Sequence, residues 1–181
     1  MIRSSAITRI APDLVATATL VVDTTGEGFR DITGEVIRFV GAAGAQDGVL
    51  LLFMRHTSAS LVIQENADPD VQTDLTTALA RLAPADAGWV HDTEGPDDMP
   101  AHVKSMVTGV SLHVPVTAGS LALGTWQGIY VAEHRARGHR REIVLQFVGS
   151  RRPDSPPASA APGTDTHRAG LKPPSRPAPA P

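Results

Sequence analysis

The stretch Gly48-Val49-Leu50-Leu51-Leu52-Phe53-Met54 is a continuous apolar run near the middle of the chain. A short run of large aliphatic side chains is typical of a strand that is buried on both faces of a sheet. It therefore predicts a central strand over residues 48–54. A second strand is predicted over residues 59–63, after a polar interruption.

Further strands lie outward from this run in both directions. Residues 14–22 alternate as in a half-buried strand and end in a turn-forming segment that contains Gly26. Short links with a glycine, such as Thr117-Ala118-Gly119 and Arg137-Gly138-His139, indicate antiparallel hairpins in the last third of the chain. The strands predicted in that third cover residues 111–116, 120–123, 125–133 and 141–148.

Two helices are indicated by end signals and by apolar residues at helical spacing. The first begins at a cap formed by Asp31 or Thr33 and ends at Gly41. The second begins at Asp68 and ends before Pro84. Strands outnumber helices, and no regular βαβ repeat is present. The predicted class is therefore α+β, with a largely antiparallel and strongly curved sheet.

A third, shorter helix is predicted over residues 100–108, with a proline in its first turn and Gly109 just past its end. Helical spacing places Val103, Met106 and Val107 on one stripe. We expect this stripe to face the core.

Composition divides the chain at residue 150. The chain has 181 residues and 41% hydrophobic content, which fits one domain of ordinary size over residues 1–150. Nine of the fifteen prolines fall in residues 151–181, which predicts a disordered Pro/Ala-rich tail. The chain has no cysteine, which excludes disulfides, thiolate metal sites and a cysteine nucleophile.

Charge and hydropathy exclude further classes. Residues 1–150 contain eleven basic against seventeen acidic residues, which argues against specific nucleic-acid binding. No apolar segment is long enough to span a membrane, and the N-terminus does not read as a signal peptide. We therefore expect a cytoplasmic protein.

The segment of residues 91–104 contains four acidic residues, two histidines, two prolines and a lysine. Ordering such a polar loop costs conformational entropy with little burial in return, so it points to a role other than packing. Glu94, Asp97 and Asp98 offer the hard oxygen ligands that Mg²⁺ prefers. His91 and His102 suit zinc or another transition metal. Both interpretations stay open at this point.

Several other residues suit phosphate chemistry. Lys104 is the only lysine before residue 172, and its compact ammonium suits phosphate or proton chemistry. Thr57 and Ser58 follow His56 at a predicted strand end, where hydroxyls beside a histidine can hold a phosphate or orient a base. Arg135 has the bidentate geometry that grips a phosphate.

The segment of residues 124–135 contains the only tyrosine and one of the two tryptophans. Strand alternation places Trp126 and Tyr130 on one face, where they predict a flat wall for an aromatic ring. Gly124 and Gly128 would let a ligand or another backbone approach closely. The alternative is that both aromatic side chains belong to the core.

Four long motifs stand out in the chain. They are, in order, His56-Thr57-Ser58-Ala59-Ser60-Leu61, Glu65-Asn66-Ala67-Asp68-Pro69, Glu94-Gly95-Pro96-Asp97-Asp98-Met99-Pro100-Ala101-His102-Val103-Lys104-Ser105, and Leu123-Gly124-Thr125-Trp126-Gln127-Gly128-Ile129-Tyr130 with Glu133-His134-Arg135. Together they closely resemble the motifs of the YjbQ-type family, whose members are commonly described as secondary thiamine-phosphate synthases. The resemblance covers residues 10–149.

This resemblance implies a homotrimer of α+β subunits with a barrel-like mixed sheet and a polar site near the subunit boundary. It implies that hydroxymethylpyrimidine diphosphate joins a thiazole phosphate to give thiamine phosphate and pyrophosphate. Asp97 and Asp98 would then hold Mg²⁺ against the diphosphate. The residues assigned to catalysis are Lys104, His56, His102 and Glu94. Those assigned to substrate binding are Thr57, Ser58, Asn66, Trp126, Gln127, Tyr130 and Arg135.

Two other functions stay open from the sequence. In a metal-dependent hydrolase or phosphatase, His91, His102 and His134 would bind Zn²⁺ or another transition metal, while Glu94 or Glu133 activates water. In a non-catalytic trimer, the same polar residues would only bind a phosphorylated metabolite. All three functions share a small phosphorylated metabolite as the partner.

Overall fold

A computed structural model of the chain describes residues 1–153. Within this range the chain forms eight strands and three helices. They are β1 (Leu14–Asp23), β2 (Gly28–Asp31), α1 (Thr33–Ala42), β3 (Ala45–Met54), β4 (Ala59–Glu65), α2 (Pro69–Leu82), α3 (Asp98–Thr108), β5 (Ser111–Thr117), β6 (Ser120–Leu121), β7 (Gln127–Glu133) and β8 (Arg140–Arg151).

The strands form two sheets, and all their pairings are antiparallel within the described residues. One sheet has the order β1-β8-β3-β5-β6, and the other has the order β2-β7-β4. Together they curl into a half-barrel. The prediction of an α+β fold with a largely antiparallel sheet is confirmed.

The core lies between the sheets and under α1. The apolar run that predicts the central strand lies in β3, which pairs with both β5 and β8. Alternate residues of β3 are fully buried, and the inward residues of β7 and β8 pack against them. Each fully buried aliphatic side chain contributes about 1.5–3 kcal/mol to folding. The core side chains include Val36, Val40, Leu50, Leu52, Ile129, Val131, Ile143, Leu145 and Phe147.

Several predicted element boundaries differ from the structure. β7 begins at Gln127, because the side chain and backbone of Gln127 close a turn onto Gly124 with hydrogen bonds of 2.8 and 3.0 Å. β6 has two residues, since it pairs only with the end of β5. β2 is an additional strand, held in place by β7.

The orientation predicted for the third helix is wrong. α3 begins at Asp98 and turns Lys104 and Ser105 inward, while Met106 is 78% exposed and Val107 is 57% exposed. Ion pairs and hydrogen bonds satisfy the buried polar side chains of this helix, so an apolar stripe is not required on its inner face.

Among residues 1–153, no helix combines the length and the apolar composition needed to cross a membrane. β8 runs one residue past the predicted domain boundary and ends at Arg151. The predicted disordered tail lies outside the described residues from position 154 onward.

Candidate functional site

Most of the polar motifs meet at the end of β7. Glu133 is the last residue of this strand, and His134 and Arg135 follow it into the interior. β4 pairs along β7 and α3 packs against β4, so α3 and the loop before it lie over this end of the strand. Two clusters of histidines and carboxylates form there, one open to solvent and one buried.

The open cluster consists of His91, Asp98 and His102. Their ligand atoms all lie within 4.8 Å of one another. Asp98 Oδ2 is 2.8 Å from His91 Nε2 and 3.6 Å from His102 Nε2. The two imidazole rings are 5.6 Å apart between centroids. The side chain of Asp98 is 3% exposed, whereas that of His91 is 50% exposed.

Contacts from outside the cluster orient His102 and Asp98. The Nδ1 atom of His102 lies 3.1 Å from the carbonyl oxygen of Thr57, which accepts a hydrogen bond only if Nδ1 carries the proton. In a neutral ring, this leaves the lone pair on Nε2, which faces Asp98. Arg135 Nη1 donates to Oδ1 of Asp98. Oδ2 of Asp98 therefore faces the two imidazoles.

Arg135 also fixes the loop before α3. Its Nε donates to Asp97 Oδ2 over 3.0 Å, and its Nη2 donates to the carbonyl oxygen of Glu94 over 2.8 Å. Burial by itself would raise the pKa of Asp97, but hydrogen bonds from the Ala136 backbone and from Arg135 outweigh it and lower this pKa. The predicted phosphate-binding arginine is thus engaged with acidic residues.

Lys104, the predicted catalytic lysine, is buried on the inner face of α3. Its ammonium forms an ion pair with Glu27, in the turn between β1 and β2. Glu27 is a site residue that the sequence interpretation missed, because a single glutamate between two glycines carries no motif signal.

The closed cluster consists of Ser60, Glu133, His134 and Arg141, all of which are buried. Glu133 accepts hydrogen bonds from Arg141 Nε at 2.7 Å and Nη2 at 2.5 Å. Thr24 Oγ1 and the backbone N–H of Arg135 donate to the same carboxylate. Burial alone would raise the pKa of Glu133, yet these hydrogen bonds hold it below its ordinary value.

His134 is neutral in this cluster. Its Nε2 lies 2.7 Å from Ser60 Oγ, and Ser60 is fully buried. Burial and the nearby charge of Lys104 lower the pKa of His134 to about 4. His134 therefore does not join His91 and His102, contrary to the three-histidine ligand set suggested by the sequence. Asp98 takes the third place in the cluster.

A cleft of ≈ 590 Å³ lies at the end of β3, beside Thr57. His56, Ser58 and Arg141 line it. The backbone N–H of Glu142 donates to His56 Nε2 over 2.9 Å, and burial together with the charge of Arg141 lowers the pKa of His56. Residues 55–60 therefore contribute to both the open cluster and the cleft. The Thr57 carbonyl contacts His102 of the open cluster, while the neighbouring side chains line the cleft.

The remaining predicted substrate-binding residues lie away from both clusters, with Asn66, Trp126 and Gln127 at the other end of β7 and Tyr130 in its middle. Asn66 Nδ2 donates to the carbonyl oxygens of Thr125 and Gln127 over 3.4 Å, and Trp126 is 65% exposed. Tyr130 is buried, packs edge-on against Phe29 at 6.5 Å and donates its hydroxyl to the Glu65 carbonyl. Trp126 and Tyr130 thus do not form the predicted aromatic wall. Six residue steps separate the two ends of β7, or roughly 20 Å.

Comparison with known proteins places the chain in a family. Residues 18–150 match the family model described as UPF0047 protein YjbQ-like. UPF0047 protein sll1880 of Synechocystis is 47% identical over 131 residues, which is 72% of this chain and 89% of the relative. UPF0047 protein YjbQ of Salmonella typhimurium is 44% identical over 132 residues, which is 72% of this chain and 96% of that protein.

Solved structures agree with this match. The YbjQ-like protein SSO2532 of Sulfolobus solfataricus, described as of unknown function, aligns with a TM-score of 0.71 at 26% identity and covers 76% of this chain and 99% of its own. The conserved hypothetical protein TT1486 of Thermus thermophilus aligns with a TM-score of 0.64 at 38% identity and covers 72% and 98%. The chain therefore belongs to the YjbQ-like UPF0047 family.

Proposed function

We propose that His91, Asp98 and His102 bind a divalent transition metal such as Zn²⁺, and that the protein hydrolyses a phosphate ester of a small metabolite. The observation that carries this proposal is the convergence of three ligand atoms within 4.8 Å, two of them on side chains that outside hydrogen bonds orient. Two histidines and one carboxylate are a ligand set of zinc hydrolases, in which further positions stay open for water and substrate.

The donor set fits a metal in three respects. Ligand atoms at about 2 Å from a metal lie up to roughly 4 Å from each other, so small side-chain movements complete the site. The hydrogen bond between His102 Nδ1 and the Thr57 carbonyl directs Nε2 inward. Arg135 plays the same orienting part for Asp98. Such outer contacts are common around metal ligands and raise metal affinity.

The reaction needs a Lewis acid, an attacking water and a base. A bound metal would supply the Lewis acidity that polarises a phosphoryl oxygen. Glu94 is 71% exposed and lies 3.7 Å from Arg135 Nη1, beside the cluster. In the proposed step, the oxygen of water forms a bond to phosphorus and Glu94 takes its proton. The ester P–O bond breaks, and the leaving oxygen receives that proton, which gives an alcohol and phosphate.

The thiamine-phosphate synthase activity implied by the motifs is a second proposal. It needs Mg²⁺ at Asp97 and Asp98, with Lys104 and Arg135 free to meet a diphosphate. Lys104 is paired with Glu27, and Arg135 is paired with Asp97 and Asp98. Those cations are already neutralised, so the geometry favours hydrolysis at the histidine cluster over pyrophosphate release.

The decisive experiment pairs metal analysis with two assays. The purified protein is stripped with a chelator, reloaded with Zn²⁺ or Mg²⁺, and assayed for hydrolysis of p-nitrophenyl phosphate and for pyrophosphate release from the two thiamine precursors. We expect one Zn²⁺ per chain and zinc-dependent hydrolysis. His102→Ala should lose both, while His113→Ala, at an exposed histidine on β5, should keep both.

Each contrary result has a definite meaning. Pyrophosphate release that needs Mg²⁺ and both precursors, without bound zinc, would replace the hydrolase by the synthase. Ligand-induced stabilisation without turnover in either assay would favour the non-catalytic binder. Retention of zinc by His102→Ala would contradict the ligand set.

A homotrimer in the cytoplasm is also part of this proposal. α3 turns Met106 and Val107 to solvent, and exposed apolar side chains on one helix suit a subunit contact. Light scattering should give three times the chain mass. Met106→Arg should lower that mass without unfolding the subunit. A monomeric parent protein would contradict the proposed assembly.

A further inference from the structure

The cleft at the end of β3 contains polar donors that the proposed hydrolysis does not use. It is lined by Arg55, His56, Ser58 and Arg141, with Phe53 and Val110 on the apolar side. No carboxylate is among its lining residues. Both arginines are paired with carboxylates that do not line the cleft, Arg55 with Glu142 and Arg141 with Glu133.

Arg141 has a spare hydrogen-bond donor. Its Nε and Nη2 atoms donate to Glu133, and Nη2 also reaches the Ser58 carbonyl at 3.3 Å and the Ser58 hydroxyl at 3.2 Å. Within residues 1–153, Nη1 forms no hydrogen bond. The Arg141 side chain is 4% exposed, and its ion pair with Glu133 fixes the position of the guanidinium. Only the Nη1 edge of the guanidinium is left to bind a ligand in the cleft.

His56 and Ser58 each add another donor. The Nε2 atom of His56 accepts the Glu142 N–H, so the proton of the neutral ring is on Nδ1. Nδ1 has no hydrogen-bond partner in the described part of the chain. Ser58 Oγ accepts from Arg141, which leaves the hydroxyl proton of Ser58 free to donate.

Three fixed donors around one cleft are suited to an oxyanion. Hydrogen bonds from ionised or polar donors to an anion are about twice as strong as neutral ones. The apolar side of the cleft suits an apolar part of a ligand, because Phe53 is 50% exposed and its ring can pack against such a group. A ligand that combines an oxyanion with an apolar body would use both sides.

We infer that this cleft is an oxyanion-binding subsite, in which Arg141 Nη1, His56 Nδ1 and the Ser58 hydroxyl hold a phosphate or carboxylate whose apolar body lies over Phe53 and Val110. The inference rests on the proposed function for its connection to catalysis, since the Thr57 carbonyl between His56 and Ser58 orients His102. A substrate that uses this subsite would therefore carry both an oxyanion and an apolar group.

The test measures binding to protein from which metal has been removed by a chelator. Isothermal titration with phenyl phosphate, benzoate, inorganic phosphate and phenol separates the contributions of the oxyanion and the ring. We expect saturable binding of phenyl phosphate or benzoate, at least about tenfold tighter than that of phenol. The tighter of the two identifies the oxyanion as a phosphate or a carboxylate.

Variants locate the site. His56→Gln keeps a side-chain acceptor for the Glu142 N–H. It replaces the ring Nδ1 donor by an amide N–H at a different position, so affinity should fall about tenfold. His113→Gln is the matched control, because His113 is exposed on β5 and does not line the cleft. Ser58→Ala should weaken binding about fivefold, with Ser120→Ala on β6 as its control.

Two results would overturn the inference: no saturable binding of either anion, or equal affinity for His56→Gln and His113→Gln when thermal unfolding shows both to be folded. Both are measured without metal, so they are independent of zinc content and hydrolysis. A cleft that binds phenyl phosphate in a protein that never binds zinc would keep the subsite and remove the hydrolase.

Discussion

The open and closed clusters each combine histidine with a carboxylate, yet the two clusters differ in what surrounds these groups. In the closed cluster, the Glu133 carboxylate accepts four hydrogen bonds and His134 is tied to Ser60. In the open cluster, the histidine side chains are one third to one half exposed and face Asp98 with their Nε2 atoms.

Because of this difference, the closed cluster is suited to stabilising the fold and the open cluster to binding a ligand. A buried charge that is fully paired is costly to break but has no capacity left for a ligand. A half-exposed imidazole stabilises the fold little and remains available to a metal, which it binds once its Nε2 has lost any proton. We therefore expect changes in the closed cluster to alter the free energy of unfolding, and changes at the two histidines of the open cluster to alter metal binding.

The largest expected effect is that of Glu133→Ala. It leaves the Arg141 guanidinium buried without its carboxylate, which costs about 3–5 kcal/mol of stability. Urea denaturation of the metal-free protein measures this loss. Glu35→Ala removes the exposed pair with Arg38 and should cost less than about 1 kcal/mol. Similar small losses for both variants would contradict the structural role of the closed cluster.

The second largest expected effect is the stabilisation of the protein by Zn²⁺ bound at the open cluster. Zn²⁺ at one hundred times its Kd should raise the free energy of unfolding of the parent protein by about 2.7 kcal/mol. His91→Ala removes one ligand, so this gain should shrink to a few tenths of a kcal/mol. The stability without metal should fall by no more than about 1 kcal/mol, because one hydrogen bond to the Asp98 carboxylate is lost. His113→Ala should keep the full gain. If His91→Ala also keeps it, the open cluster does not bind the metal.

The third effect is a pH dependence that comes from His134. Burial lowers the folded-state pKa of His134 to about 4, below its ordinary value of 6.5. The folded state therefore resists protonation, and stability that is fully present above pH 6.5 is lost as the pH falls toward 4. Between pH 7.5 and pH 5 this amounts to roughly 2 kcal/mol.

His134→Gln tests this assignment on metal-free protein, because Gln keeps a polar partner for Ser60 and does not titrate. Its free energy of unfolding should depend less on pH than that of the parent protein, by roughly 2 kcal/mol over the same interval. Parallel curves for the two proteins would show that His134 is already protonated or solvated in the folded state.

Sequence patterns predicted most of the fold because strands and caps are local. The apolar run of β3 and the Asp68 cap, which accepts the Asp70 N–H at 2.9 Å, depend on neighbouring residues alone. The same reasoning failed for α3, where Lys104 and Ser105 are buried by partners far away in the sequence, Glu27 and the Ala59 carbonyl. Helical periodicity contains no information about such partners.

The site was predictable in part. The polar segment of residues 91–104 contains His91, Asp98 and His102, but their grouping depends on how the loop before α3 packs against Arg135. Arg141 was missed although a signal was present. It occupies an inward position of β8, two residues before Ile143, and a charge in that register indicates a buried ion pair.

The smallest expected effect tests the edge of the closed cluster. Thr24 Oγ1 lies 2.8 Å from Glu133 Oε2 and also accepts the His139 N–H at 2.9 Å. Thr24→Val removes these hydrogen bonds but keeps the other three donors to Glu133, so it should cost about 1 kcal/mol in urea denaturation. Thr25→Val, at the exposed neighbouring position, is the control and should cost less.

This small effect bears directly on the distinction between the clusters. If Thr24→Val costs nothing relative to Thr25→Val, water replaces the hydroxyl, and Glu133 is reached by solvent through the turn between β1 and β2. Glu133 would then join Glu94 as an accessible carboxylate beside the metal ligands, and exposure would no longer separate the two clusters. If Thr24→Val instead lowers the free energy of unfolding by about 1 kcal/mol, Glu133 is enclosed, and Glu94 remains the base of the proposed hydrolysis.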